Sequence, residues 1–348
     1  MQSRIYKIVS FSLLITSCIS PSTSQEDRHL RLMMDTNSAR LDTNQTLERL
    51  AFGSCNDQQK AAAPWKTIAE QKPQLWIWLG DTVYGEKPSA LSLQMAYKQQ
   101  LELPAYQTFK ENTAIIGIWD DHDYAYNNAG KEVAFKKTSQ QLFLDFLQEP
   151  ESSARRRQEG IYTSYEIGAK DKQVVKIILL DTRYHADHQN PNTDLLGKAQ
   201  WEWLTELLTH SKAKFHIIAS GIQVLPNEHR FEKWSNFPRA RARLLQLFKK
   251  TRPSGLILLS GDRHIAEISR ISNKEDVVTE ITSSGLTHSY SSFVEEANKY
   301  RLGNVFSEKN FGLISFDWNV KPALATVSVL DENGKTKLEV NVTASGDR

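Results

Sequence analysis

Three apolar runs in this chain end abruptly in side chains that can hold a metal ion. Leu75 to Leu79 runs into Gly80-Asp81, with Tyr84 three residues beyond the carboxylate. The run from Ala114 to Trp119 delivers Asp120, Asp121, His122 and Asp123, and the run from Leu256 to Leu259 delivers Asp262 and His264. Residues 48–54 lead in the same way to Cys55, a fourth candidate. Carboxylates gathered at one place repel and resist burial unless a cation offsets their charge. A metal centre follows. Carboxylate and imidazole suit hard or borderline ions, and a tyrosine phenolate points to a strongly acidic metal such as ferric iron, which holds that oxygen deprotonated well below its free pKa of about 10. Asp81 and Tyr84 can meet one ion across a turn, and Asp262 and His264 leave an extended segment on the same side. Cys55 is a ligand only as a thiolate, which needs a metal or other positive charge beside it.

The elements that must position these groups alternate. Strands are expected over 48–53, 74–79, 114–119, 161–167, 174–180, 215–219 and 256–259. Helices are expected over 61–71, 92–101, 131–147, 198–208 and 239–249, where apolar residues recur at helical spacing and Pro64 fits a first turn. Beyond His264 the pattern turns to clustered strands, over 265–271, 277–282, 312–316, 323–330 and 337–342. Alternating β and α units followed by clustered strands imply an α/β fold of two packed sheets with helices outside. In such sheets the ligand site lies beyond the carboxyl ends of the strands. The triple Arg155-Arg156-Arg157 reads as a solvated basic loop, and His288 could line a substrate entrance.

With 348 residues, 40% of them hydrophobic, the chain can bury a large core. A net charge of +2 supplies no overall field to draw nucleic acid. Arg4 and Lys7 precede an apolar stretch over 8–15, too short to span a bilayer, as in an export signal. Leu14-Ile15-Thr16-Ser17-Cys18 then resembles a bacterial lipobox, so residues 1–20 are expected to be a signal peptide and Cys18 a lipidated membrane anchor outside the cytoplasm. Residues 21–47 are expected to be a flexible tether, and residues 48–348 the functional domain. Cys55 would then have no disulfide partner in an oxidising compartment.

Taken in order, FGSCN, GDTVYGE, WDDHDYAYNNAG, LDTRY and LSGDRH resemble the alkaline phosphatase D (PhoD-like) family of the calcineurin-like metallophosphoesterases, over about residues 48–270. The resemblance implies a four-layer α/β/β/α sandwich. It makes Asp81 the bridge between two metals, with Cys55, Tyr84 and His264 completing an iron-like site and Asp121 and Asp262 serving the second ion. Asp121 stands where the commoner superfamily pattern has an asparagine, and Asp262 where it has a histidine. An oxygen-rich second site suits calcium, magnesium or manganese, and the family implies iron with calcium. The implied reaction is hydrolysis of a small-molecule or lipid phosphate ester by a metal-held hydroxide. His122 is then the candidate general acid, oriented by Asp120 or Asp123, and Arg183 a candidate either for holding a substrate oxygen or for a structural salt bridge. Asn127 and Asn128 are expected at a turn or beside a further cation. Two other readings remain: phospholipase D-like cleavage of lipid headgroups, and a non-catalytic surface lipoprotein that binds metal or phosphate. A serine hydrolase is disfavoured, since no G-x-S-x-G elbow occurs.

Overall fold

The apolar runs that carry the candidate ligands become strands covered on both faces, which is why they read as unbroken hydrophobic segments rather than alternating ones. The computed structural model describes residues 31–32, 38–60, 63–168, 173–190, 192–272, 277–293 and 295–344. In the first sheet β1 (Arg49–Gly53), β2 (Leu75–Leu79) and β3 (Ala114–Ile118) lie parallel, and β11 (Asn310–Asp317), β12 (Leu324–Asp331) and β13 (Thr336–Thr343) extend it antiparallel beyond β1. Its order is β13-β12-β11-β1-β2-β3.

The second sheet is built around parallel β5 (Val175–Leu179), β6 (Phe215–Ser220), β7 (Leu256–Ser260) and β9 (Val277–Ser283). With β4 (Thr163–Ile167), β8 (Ala266–Ser272) and β10 (Arg301–Phe306) its order is β10-β8-β9-β7-β6-β5-β4.

Strand alternation sorts the second sheet's residues into two layers. Ile177, Leu179, Phe215, Ile217, Ile257 and Leu259 join the core shared with the first sheet, and Phe215 meets Phe316 across it at 5.2 Å between ring centres. Their neighbours Ile178, Ile218 and Leu258 face the other way, into a separate core under α6 (Lys198–His210) and α7 (Pro238–Thr251). On the first sheet, Trp76 and Trp78 lie two residues apart on one face of β2. They pack edge-on against Trp65 of α1 (Trp65–Glu70) at 5.3 and 5.4 Å, with Tyr106 and Phe109 of α3 (Pro104–Asn112) closing the cluster. Two mixed sheets with helices on their outer faces are the expected architecture.

Several local expectations are corrected. Residues 38–47, assigned to the tether, pack on the domain: Ala39 donates to the Lys110 carbonyl, Thr46 bonds Gln173, and Leu47 is buried. Arg31 reaches Asp145 at 2.7 Å. The helix expected over 61–71 has Pro64 as its N-cap, the one over 92–101 is α2 (Ala90–Glu102), and the one over 131–147 is α5 (Lys136–Phe146). The chain breaks at Leu103 and restarts at Pro104 as α3, a helix the periodicity did not reveal. The basic triple forms a short turn in which Arg155 is buried and paired with Glu149, while Arg156 pairs with Asp145. The leader and Cys18 lie outside the described residues, and among those residues no helix is long and apolar enough to cross a membrane.

Gly312 of β11 lies under the ring of Phe52, where a methyl group would stand 2.1 Å from a ring carbon. Gly312→Ala should therefore lower the unfolding free energy by about 1–3 kcal/mol through overpacking, read as a lower urea midpoint at unchanged slope. A shift below about 0.5 kcal/mol, the size expected of an ordinary surface substitution, would show that the ring moves aside freely.

Candidate metal centre

The carboxyl ends of the parallel strands in both sheets converge on one place. The first sheet supplies Cys55 after β1, Asp81 after β2, and Asp120 and Asp121 after β3; the second supplies Arg183 after β5 and Asp262 and His264 after β7. Each strand must turn sharply to present these groups. Cys55, Asp81, Asp262 and His264 all have left-handed backbones, with φ of 59°, 48°, 68° and 54°. For non-glycine residues that conformation is strained, and strain of this kind concentrates at functional sites. The close approach also demands glycine: a methyl on Gly80 would stand 2.4 Å from the Cβ of Asp120, and one on Gly221 2.3 Å from Asp120 Oδ1.

Two groups of side chains are close enough to hold an ion. Single donor atoms of Cys55, Asp81 and His264 lie within 4.8 Å of one another, and so do those of Asp81, Asp120 and Asp121. Asp81 belongs to both. Tyr84 sits beside the first group, its hydroxyl donating to Asp81 Oδ2 at 3.0 Å and lying 3.4 Å from His264 Nε2. In the second group Asp121 Oδ2 accepts the Asn128 N–H at 2.6 Å. Asp120 Oδ2 and Asp121 Oδ1 are buried with no hydrogen-bond partner among the described residues. Orphaned buried acceptors of this kind are what a cation would satisfy.

The electrostatics agree. Burial, followed by the like charges of Asp121 and Cys55, pushes the Asp81 carboxyl well above its ordinary range. Burial raises Asp120 despite Arg183, and brings Asp262 up to about 7 with help from Asp121 and Glu232. It takes the Cys55 thiol up to about 11, and raises the Tyr84 phenol too. For Asp121, burial is outweighed by Arg183, His122 and the Asn128 N–H, so its pKa falls. Burial also lowers His122 and His264, favouring the neutral imidazole that binds metals. Added positive charge would reverse the upward shifts, and the donors present fit metal ions.

Not every expected residue joins these groups. Asp262 lines the cavity above them but belongs to neither; Asp120, expected behind the ligands, stands among them. Asp123 is spent on backbone: its carboxylate accepts the N–H groups of Thr82 at 2.8 Å, Val83 at 3.1 Å and Asp120 at 3.1 Å, tying the turn after β2 to the end of β3. With Asp123 so engaged and Asp120 facing Arg183, neither orients the His122 imidazole as expected. That ring lies against Tyr84, 4.3 Å between centres, and lines the cavity. Asn127 and Asn128 line the rim as exposed turn residues, with Asn128 at φ 56°.

Of the two roles open to Arg183, the structure shows the salt bridge. It is 0% exposed, its Nε donates to Asp120 Oδ1 at 2.6 Å, and its Nη1 donates to Glu232 Oε2 at 2.8 Å. A guanidinium so enclosed holds carboxylates and cannot reach substrate. Sequence reasoning missed Glu232 and also Ser284, whose hydroxyl accepts the His264 N–H at 2.7 Å and lies 3.0 Å from Cys55 Sγ. His288 does reach the site, edge-on to His264 at 4.4 Å.

The sequence model of PhoD-like phosphatases matches residues 50–322. The chain belongs to the PhoD-like phosphatase family. A curated relative, alkaline phosphatase D of Bacillus subtilis (strain 168), is 23% identical over 300 residues, covering 68% of this chain and 51% of the relative. The chain thus spans about half the length of that PhoD-like relative. A solved structure of PhoD superposes with TM-score 0.69 at 17% identity, covering 89% of this chain and 73% of the other. A dimetal phosphatase from Danio rerio superposes with TM-score 0.56 at 12% identity, covering 86% of this chain and 100% of the other. Both share the two-sheet fold.

In this PhoD-like chain Arg183→Met should cost about 3–5 kcal/mol of stability, because it leaves Asp120 and Glu232 buried without a partner. Equilibrium denaturation measures it. Wild-type stability with a raised KM would instead put Arg183 in contact with substrate.

Proposed function

We propose that this protein hydrolyses phosphate esters with a pair of metal ions bridged by Asp81. The observation that carries the reading is the sharing of Asp81 between two ligand-competent groups on the floor of an open cavity. Cys55, Asp81, Tyr84 and His264 would hold the first ion, and thiolate with phenolate favours ferric iron there. Asp81, Asp120 and Asp121, all oxygen donors, would hold the second, with Asp262 at hand; calcium is proposed, magnesium and manganese being alternatives of the same hard character. When bound, such a pair supplies the positive charge that neutralises a phosphoryl group and makes a water nucleophilic near neutral pH.

The chain's own residues set the geometry. Arg183 opposes the effect of burial on Asp120 and holds it in place, and Asp123 fixes the turn that carries Asp81. His122 faces the cavity and would pass a proton from a ring nitrogen to the departing oxygen. Burial disfavours its charged form until an anionic substrate arrives beside it, which raises its proton affinity at the moment it is needed. The substrate is a small phosphate ester. The proposed setting is outside the cytoplasm, with Cys18 lipidated and the catalytic domain taking in residues 38–47 as well as those from 48 onward.

Elemental analysis of purified protein should find iron near one per chain beside calcium, with a visible tyrosinate-to-iron band. Protein that stays colourless after iron loading would remove Tyr84 and Cys55 from the ligand set. Asp81→Ala should lose both metals and all measurable turnover, and near-normal turnover would end its bridging role. His122→Ala should keep its metals while turnover falls about 10²- to 10⁴-fold, the span of general acid catalysis.

A further inference from the structure

The cavity above the candidate ligands has a volume of about 620 Å³, which is in the range that holds a whole small molecule. Its floor needs only the scissile phosphate. The remaining space must therefore meet the rest of the substrate, and its lining carries two guanidinium groups, Arg230 and Arg263.

The two arginines differ. Arg263 is buried, lies over the Phe231 ring at 4.2 Å and is ion-paired with Glu296, so its charge is already answered. Arg230 is exposed, lies over the same ring at 5.1 Å, and has no carboxylate partner among the described residues. The Glu296–Arg263–Phe231 stack gives Arg230 a fixed platform, which reduces the entropy lost when it grips a ligand. His229, one residue away, is pushed down to about 3 by burial and then by Arg263, Lys233 and Arg301. An unanswered, platform-held cation on a cavity wall is suited to an anion.

We propose that Arg230 binds a second anionic group on the substrate, so that the preferred esters carry a further phosphate, phosphonate or carboxylate beyond the scissile phosphate. The proposal rests on the phosphoesterase reading for the position of that scissile group. Because Arg230 is exposed, the preference should weaken as salt is raised.

The test uses two chromogenic diesters, 4-nitrophenyl ethyl phosphate and 4-nitrophenyl 2-phosphonoethyl phosphate, with wild-type protein, Arg230→Gln and Arg230→Lys. Wild type should favour the phosphonoethyl ester about tenfold in KM at low salt, the size of one charge-assisted contact of about 1.4 kcal/mol. Arg230→Gln should bring the preference near unity, and Arg230→Lys should restore part of it. A preference that survives Arg230→Gln overturns the proposal, and so does an equal loss on both esters, which would put Arg230 at the scissile phosphate. Calorimetric binding of propane-1,3-bisphosphonate against propylphosphonate gives a second reading without turnover. If neither diester nor 4-nitrophenyl phosphate is hydrolysed, the phosphoesterase reading falls, while loss of bisphosphonate selectivity in Arg230→Gln still supports the anion site. Equal binding of both ligands by wild type overturns it.

Discussion

Repulsion among carboxylates brought together out of water is the constraint on which the rest of this structure depends. Asp81, Asp120, Asp121 and Asp262 meet where parallel strands end, and burial raises three of the four. Within the protein, the direct answer to that charge is Arg183, itself fully buried and shared between Asp120 and Glu232. One cation cannot balance the set. The deficit is the physical reason to expect metal ions, and it persists whichever ions are considered.

The same constraint accounts for the unusual backbone. Four candidate ligands in left-handed conformation are local strain of order 1–3 kcal/mol per residue, and Gly80 and Gly221 leave no room for a side chain beside Asp120. Two packed cores hold that strain in place. One lies between the sheets and under the tryptophan cluster, and the other lies under α6 and α7. Asp123 transmits the rigidity of β3 to the turn after β2 through three backbone N–H groups. Rigid elements thus carry the site.

Much of this was legible in the sequence because a parallel strand buried on both faces leaves an unbroken apolar run, and such runs stop where the chain turns toward the ligand. Cys55, Asp81, Tyr84, Asp121 and His264 could be picked out by position alone. Glu232, Ser284 and the Arg230–Phe231 pair could not, since they sit on loops whose only signal is the tertiary contact they make. Arg183 was visible as a residue but its role stayed open between substrate and salt bridge, because pattern does not reveal which way a guanidinium points. The restart of helix at Pro104 escaped for a different reason: α2 and α3 join through Leu103 alone, leaving no polar loop to separate them.

The candidate ligands come from two different sheets. Cys55, Asp81, Asp120 and Asp121 belong to the first, and Asp262 and His264 to the second. Asp81, Asp120 and Asp121 gather on the first sheet alone, but the other group needs His264 from the second, so a half-folded chain cannot complete the pair. On the proposed reading, capture of the ion at Cys55, Asp81 and His264 is a late event that follows docking of the sheets and then locks them together. On that reading the identity of this ion is decided by what is dissolved in the compartment where folding finishes, and not by what the chain meets while it is being made.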